Sequence, residues 1–366
     1  MSRASTPHRG TASNPDGRFE RLTSETFDDG WWRDEDLPPL RTTVAEDATR
    51  TIIAHNDSPD IPFDQSINPY RGCEHGCVYC YARPSHNYLG LSAGIDFETK
   101  LFAKPDAARL LEAELRKPSY KCSPIALGTN TDPYQPVERR LGIMRSILEV
   151  LSAFNHPLSI VTKSALVLRD LDILGPMAEK GLASVGISVT TLDGDLARRL
   201  EPRAGVPAKR LAAIEGLAAA GVPVRVMVSP IIPALTDHEL ESILAAGAER
   251  GATRASWILL RLPYQTKELF DQWLEHHQPG RKEHILSLIR QSRGGKLNSP
   301  EFGKRFVGSG PYVEMIKKRF EVACKKHGLN VNYHISGRTD LFKPPPKAGD
   351  QLAFDLGPEL LPRKGH

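Results

Sequence analysis

The sequence predicts an α/β fold built from parallel βαβ units. Six short apolar, β-branched segments alternate with segments whose apolar residues recur at helical spacing, and turn-forming residues mark each change. With 366 residues, 25% charged and 40% apolar, the chain is long enough to bury a large core in an ordinary soluble composition.

Residues 1–60 are rich in Ser, Thr, Pro, Gly, Arg and Asp without sustained periodicity. They read as a disordered or loosely draped arm, with Trp31 and Trp32 as candidate pins to the body. Strands are expected at 66–70, 123–130, 158–162, 182–191, 222–231 and 255–262. Helices are expected at 105–117, where Leu110, Leu111 and Leu115 share a face, and at 137–154, 166–180, 193–200, 207–220 and 237–250. Repeated right-handed crossovers curl into a barrel or an open doubly wound sheet, and alternation alone does not choose between them. Beyond Leu262 the pattern turns helical, at 266–276, 281–291 and 311–326, with an added strand at 331–335 and a Pro-rich tail from Lys343. The expected organisation is an arm (1–60), a βα body (61–265), a basic helical extension (266–342) and a flexible tail (343–366).

No run approaches the ~18 apolar residues of a membrane span, so no membrane association is expected. The first 14 residues lack an apolar h-region, so a secretory signal is not expected. Five cysteines, three of them clustered, argue against a disulfide framework and for a reducing, cytoplasmic setting. The net charge of +4 is uneven: residues 281–326 hold 12 Lys and Arg against 4 Asp and Glu. That block reads either as a nucleic-acid footprint or as a solvated helical face.

The chemistry is concentrated in Cys73-Glu74-His75-Gly76-Cys77-Val78-Tyr79-Cys80, a C-x3-C-x2-C run. Three thiolates so spaced converge on one inorganic centre from a tight loop, and Gly72 and Gly76 permit the backbone reversals this needs. A [4Fe–4S] cluster usually takes four cysteines, so three leave one iron open to another ligand. The alternative, structural zinc, needs a fourth ligand from His75, His86 or Cys122 and lacks the usual second C-x-x-C half.

This spacing, with an aromatic residue before the last cysteine, resembles the radical S-adenosylmethionine (SAM) enzymes. The wider run from Asn68-Pro69-Tyr70-Arg71-Gly72 to Tyr81-Ala82-Arg83 is similar to the branch containing spore photoproduct lyase and related bacterial proteins labelled DNA repair photolyases. The resemblance covers roughly residues 60–265. It implies a partial (β/α)6 barrel with the cluster loop after the first strand, a [4Fe–4S] cluster on Cys73, Cys77 and Cys80, and SAM at the open iron. It also implies an external low-potential electron donor of the flavodoxin or ferredoxin type.

In parallel barrels chemistry gathers at the C-terminal strand ends. Thr129 and Asn130 end the second strand, where the family receives the methionine amino group of SAM. Lys163 ends the third and suits the SAM carboxylate or a substrate anion. Ser188 and Thr190 end the fourth and alternate onto one face, suited to ribose or carboxylate. Arg203 is a second carboxylate candidate, Ser229-Pro230-Ile231 an apolar edge for adenine, and Tyr79 a shield for the cluster or a packing surface for adenine. Each polar residue alone also suits a turn or a helix cap; their shared end favours function.

Spore photoproduct lyase also uses a cysteine at the end of the second strand as hydrogen donor, where this chain has Gly128. Cys122 precedes that strand and Cys324 reads as an apolar filler, which leaves Tyr134 or Tyr264 as substitute donors. Residues 351–356 (QLAFDL) resemble the peptides by which bacterial DNA enzymes dock on the sliding clamp. The leading expectation is a radical SAM enzyme acting on nucleic acid. The alternatives are a non-catalytic, metal- or Fe–S-stabilised nucleic-acid-binding protein, and a radical SAM enzyme for a protein or small metabolite.

Overall fold

The structure, a computed structural model, describes residues 9–20, 40–331 and 337–347. Trp31, Trp32, residues 351–356 and all but the first residue of the expected strand at 331–335 lie outside the described residues.

Ten strands form in chain order: β1 (Thr43–Glu46), β2 (Ala54–His55), β3 (Gln65–Ile67), β4 (Tyr70–Arg71), β5 (Lys100–Ala103), β6 (Ile125–Leu127), β7 (Leu158–Thr162), β8 (Ala183–Ser188), β9 (Val224–Ile231) and β10 (Arg254–Leu259). Six of them, β3 and β6 to β10, lie side by side in sequence order, every neighbouring pair parallel. Helices in the connections cover the outer face, as parallel crossovers require. This is the wall of a partial (β/α)6 barrel. It is open on one side: β10 is one edge of the sheet, and β2, antiparallel to β3, is the other. Strands such as β8 and β9 are almost wholly buried, as expected of parallel strands covered on both faces.

Several elements differ from the pattern. The expected strand 123–130 shortens to β6 because Gly128 turns the chain at φ +87°. The expected helix 137–154 is broken by Gly142, also at positive φ, into Glu138–Leu141 and Ile143–Ala153. Ser164 opens the next helical stretch with a tight 3-10 turn, its Oγ accepting the Leu166 N–H at 3.2 Å, before the α-helix Leu171–Glu179. A second, three-stranded sheet in the order β1-β5-β4 was not foreseen. It delivers the chain directly into the cysteine loop, since β4 ends at Arg71.

The main core lies between sheet and helices. A second apolar cluster gathers Cys77, Val78 and Tyr79 with Leu200, Leu260 and Leu262 and with Phe270 and Trp273 of the helix Thr266–His277. The extension therefore packs onto the cysteine loop. Its last helix, Pro311–Lys326, is tied to the helix Leu240–Glu249 by Arg319 and Glu241 (2.6 Å). Residues 9–14 lie across the same loop: a Cβ on Gly10 would stand 1.7 Å from the Gly76 carbonyl oxygen. Only a residue without a side chain fits there. Among the described residues no helix is long and apolar enough to cross a membrane.

Candidate active site

The cysteine loop is fastened at nearly every residue. The Cys73 N–H donates to the Phe97 carbonyl (2.9 Å), Glu74 N–H to Gln135 Oε1 (2.8 Å), and Val78 N–H to the Leu200 carbonyl (3.0 Å). Gln135 returns a bond to the Gly72 carbonyl (3.1 Å). Arg83, fully buried, donates from Nε to the Cys77 carbonyl (2.9 Å) and pairs through Nη2 with Glu98 (2.6 Å). Gly72 and Gly76 hold φ values of +77° and +67°, and a Cβ on Gly72 would meet Leu101, His86 and Phe97 at under 3.0 Å. All three thiols are free, and they lie close enough to perturb one another's ionisation. Burial pushes the Cys77 thiol well up, with Glu201 adding to the effect and Lys163 opposing it. Burial likewise raises Cys80, against the pull of Arg83.

The strand ends form a connected polar group beside this loop. Lys163 Nζ, following β7, donates to Ser188 Oγ (2.7 Å) and to the Ser229 carbonyl (3.2 Å), and lies 3.4 Å from Glu201 Oε1. Ser188 Oγ and Thr190 Oγ1 also donate to the Ser229 carbonyl, at 2.8 and 3.2 Å. Glu201 is the hub. Its side chain has no exposure, and it accepts from Thr190 Oγ1 (2.7 Å), from Tyr79 Oη and from Arg210. Burial lowers the Lys163 ammonium to about 8, although the nearby Cys77 thiol works the other way. Its Nζ sits 5.8 Å from the Tyr79 ring centroid, so the lysine links the cysteine loop to the strand ends.

Of the residues expected from sequence, Tyr79, Lys163, Ser188 and Thr190 come together in this group. Thr129 and Asn130 stand apart from it, bound to the first strand's exit: Asn68 Nδ2 donates to Thr129 Oγ1 (3.1 Å), and Asn68 Oδ1 accepts the Asn130 N–H (2.9 Å). Arg203 pairs instead with Glu74 (2.9 Å), which also accepts from Thr42 Oγ1 (2.6 Å). Tyr134 is buried with its Oη donating to Asp170 (3.0 Å), while Tyr264 is exposed with the Arg18 guanidinium over its ring. Glu201 and Arg210 were missed by the sequence reading, as was Asp132. Asp132 accepts the Lys163 N–H (2.7 Å) and Thr162 Oγ1 (2.7 Å), and lies 3.3 Å from His75 Nδ1. Burial opposes charge on His75, yet Asp132 and Cys73 lift it to about 10. Asp132 lies two residues beyond Asn130 and Glu201 two before Arg203, and a carboxylate so close to each candidate was the available signal.

Residues 67–246 match the family model of the radical SAM superfamily. An uncharacterized protein of Mycobacterium tuberculosis is 42% identical over 271 residues, covering 74% of this chain and 76% of the relative. The chain belongs to the radical SAM superfamily. A second relative, an uncharacterized protein of the Acidianus two-tailed virus, is 30% identical over 255 residues, covering 66% of this chain and 77% of the relative. Among solved structures, a spore photoproduct lyase variant superposes with a TM-score of 0.56 at 16% identity, over 78% of this chain and 80% of that one. Another, solved with bound AdoMet and dinucleoside spore photoproduct, gives 0.55 at 17% identity over the same shares of the two chains. At that identity the likeness is one of fold.

The radical SAM family implies an enzyme that uses SAM and a [4Fe–4S] cluster. The residues present fit such a cluster. Thiols whose burial resists ionisation gain a stable deprotonated form when metal binds. Lys163, beside them, supplies a compensating positive charge. Gly128, where the sequence reading looked for a donor cysteine, is closed to any side chain. A Cβ there would lie 2.3 Å from the Val161 carbonyl oxygen, so the backbone leaves no room for a donor cysteine.

Proposed function

We propose that Cys73, Cys77 and Cys80 hold a [4Fe–4S] cluster, and that the protein reductively cleaves SAM to act on a nucleic-acid substrate. Held by Cys73, Cys77 and Cys80, such a cluster would supply the one-electron reductive cleavage of SAM, the radical chemistry by which a hydrogen atom is taken from a substrate. The electron comes from an external donor of the flavodoxin or ferredoxin type. The chain's own residues bind, orient and exclude water. Lys163 receives the SAM carboxylate, Ser188 and Thr190 present hydroxyls beside it, and Tyr79 walls the loop from the strand ends. Thr129 and Asn130 are assigned to the methionine amino group through the backbone of the loop that Asn68 holds. Arg203, occupied by Glu74, is assigned to shaping the loop rather than to SAM.

The observation that supports this reading is the position of Lys163, whose Nζ lies 5.8 Å from the Tyr79 ring centroid in the cysteine loop and 3.4 Å from Glu201 among the strand-end polar residues. The nucleic-acid part draws support from the exposed Lys296, Lys317, Lys318, Lys325 and Lys326 of the basic block and from the ligand in the spore photoproduct lyase complex. A cytoplasmic location suits a reduced thiol cluster.

The test is anaerobic reconstitution and dithionite reduction, followed by assay of 5′-deoxyadenosine from SAM, with Cys77→Ala as control. Product from the wild type and none from the variant is expected. A reducible cluster that yields no product, with or without nucleic acid, would overturn the reading.

A further inference from the structure

The open side of the barrel is bridged by residues 301–308 of the extension. The Phe306 carbonyl accepts the Leu259 N–H of β10 (2.9 Å), and Arg305 reaches Asp60, ahead of β3, at 2.5 Å. This segment and the cysteine loop together enclose one arginine. The Arg261 guanidinium lies 4.6 Å from the Tyr81 ring centroid and 5.0 Å from that of Phe306, between the exits of the first and last barrel strands.

The neighbouring cations are already engaged. Arg305, on the same Phe306 ring at 4.8 Å, is paired with Asp60; Arg293 spends its donors on the carbonyls of Leu259, Leu260 and Arg305. Arg261 has ring contacts only, with no hydrogen bond or carboxylate partner among the described residues. Half-buried beside the Arg305 guanidinium, it feels Asp60 and the Cys80 thiol only at a distance, and Asp60 is already bonded to Arg305, so a bound anion would relieve an under-compensated cation. Tyr81 directly follows Cys80, so that anion would sit beside the cysteine loop.

The aromatic neighbours decide what kind of anion. Tyr81 is 45% exposed and Phe302, which stacks on Arg305 at 5.0 Å, is 58% exposed. A guanidinium seated on Tyr81, with the exposed ring of Phe302 on the neighbouring Arg305, matches a phosphate followed by a base. Base faces are available only where a strand is unpaired.

We propose that Arg261 binds a backbone phosphate of single-stranded nucleic acid, with Phe302 stacking a flanking base, so that the strand enters along the open side of the barrel. This rests on the nucleic-acid reading above.

The experiment is fluorescence anisotropy with the anaerobically reconstituted protein and labelled oligo-dT, oligo-rU and a blunt DNA duplex, across a salt series. Arg261→Ala and Phe302→Ala should each weaken single-strand binding roughly ten-fold. Arg261→Ala should also lower the salt slope by about 0.7. Arg261→Lys, which keeps charge but loses the flat stacking surface, should fall between. Lys209→Ala, on the exposed face of the helix Pro207–Ala219 and outside the basic block, should change binding less than two-fold. Unchanged circular dichroism and cluster absorbance show that each variant is folded. Preference for either single strand over duplex supports the site. Tighter duplex binding, or wild-type affinity in both Arg261→Ala and Phe302→Ala, overturns it and leaves the nucleic-acid reading standing. A wild type that binds none of the three overturns that reading and the site with it.

Discussion

Arg83 and Glu98 form an ion pair at 2.6 Å with neither side chain exposed, and between them they hold both sides of the cysteine loop. Arg83 bonds the Cys77 carbonyl from within; Glu98 accepts the N–H groups of Gly10 (2.9 Å) and Thr11 (3.1 Å) from the segment lying across it. Removing one partner leaves the other charge buried alone, which typically costs about 3–5 kcal/mol. Arg83→Met should lower stability by that order in urea titrations of the cluster-free protein. It should also reduce iron content after reconstitution, because the Cys77 carbonyl loses its donor. Glu98→Gln should have the smaller effect on iron, since it leaves the Arg83–Cys77 bond in place.

Glu201 is the only carboxylate shared by Lys163, Thr190, Tyr79 and Arg210 among the described residues. Glu201→Gln keeps the shape but strips the charge that balances Arg210, itself only 2% exposed. The expected outcome is a loss of about 3 kcal/mol in stability and weaker SAM binding by calorimetry, as Lys163 loses its fixed position. Lys163→Met should weaken SAM binding with little change in stability, because the lysine is partly exposed and Glu201 retains Arg210. Equal affinity for SAM in Lys163→Met and wild type would remove Lys163 from the carboxylate role.

The contrast between these residues shows what the sequence could and could not convey. The grouping of the three cysteines on one tight loop was legible because it is a local property of spacing and of the positive-φ glycines beside them. Lys163, Ser188 and Thr190 were legible because strand alternation fixes where a strand-end side chain points. Arg210 was not: on the helix Pro207–Ala219 it reads as one more solvated charge, and only the fold reveals that Glu201 stands opposite. Arg203 misled for the same reason, its partner Glu74 lying 129 residues away. The charge surplus of the extension likewise conceals that Asp60, Asp271 and Glu241 neutralise much of it from outside the block.

His156 predicts a pH dependence of stability. Its ring is buried, with Nε2 2.6 Å from Tyr120 Oη and Nδ1 3.0 Å from the Pro157 carbonyl, and burial lowers its pKa from 6.5 to about 4. The folded state thus binds the proton less readily than the unfolded chain. The stabilising contribution is complete above pH 6.5 and is lost as pH falls toward 4, by about 3 kcal/mol in all. The difference in unfolding free energy between wild type and His156→Gln, measured in urea from pH 7.5 to 4.5, should shrink or reverse across that window. A pH-independent difference would show that the ring titrates normally in the fold.

Gly128 carries the sharpest separation from spore photoproduct lyase. A cysteine placed there would need φ near +87°, which side chains resist, and its Cβ would press on the Val161 carbonyl oxygen and, at 2.8 Å, on Pro133 Cδ. Strained backbone and overpacking each cost on the order of 1–3 kcal/mol. Gly128→Ala and Gly128→Cys should therefore destabilise alike in urea, and the thiol of Gly128→Cys should confer no hydrogen-donor chemistry that Gly128→Ala lacks. The carbonyl in the way belongs to β7, one residue before Thr162 and two before Lys163. Relaxing the clash would displace the strand end that holds Lys163, so Gly128→Cys should also weaken SAM binding. A Gly128→Cys protein as stable as wild type would mean that the loop between β6 and Pro133 yields without moving β7, and that a donor cysteine is compatible with this backbone after all.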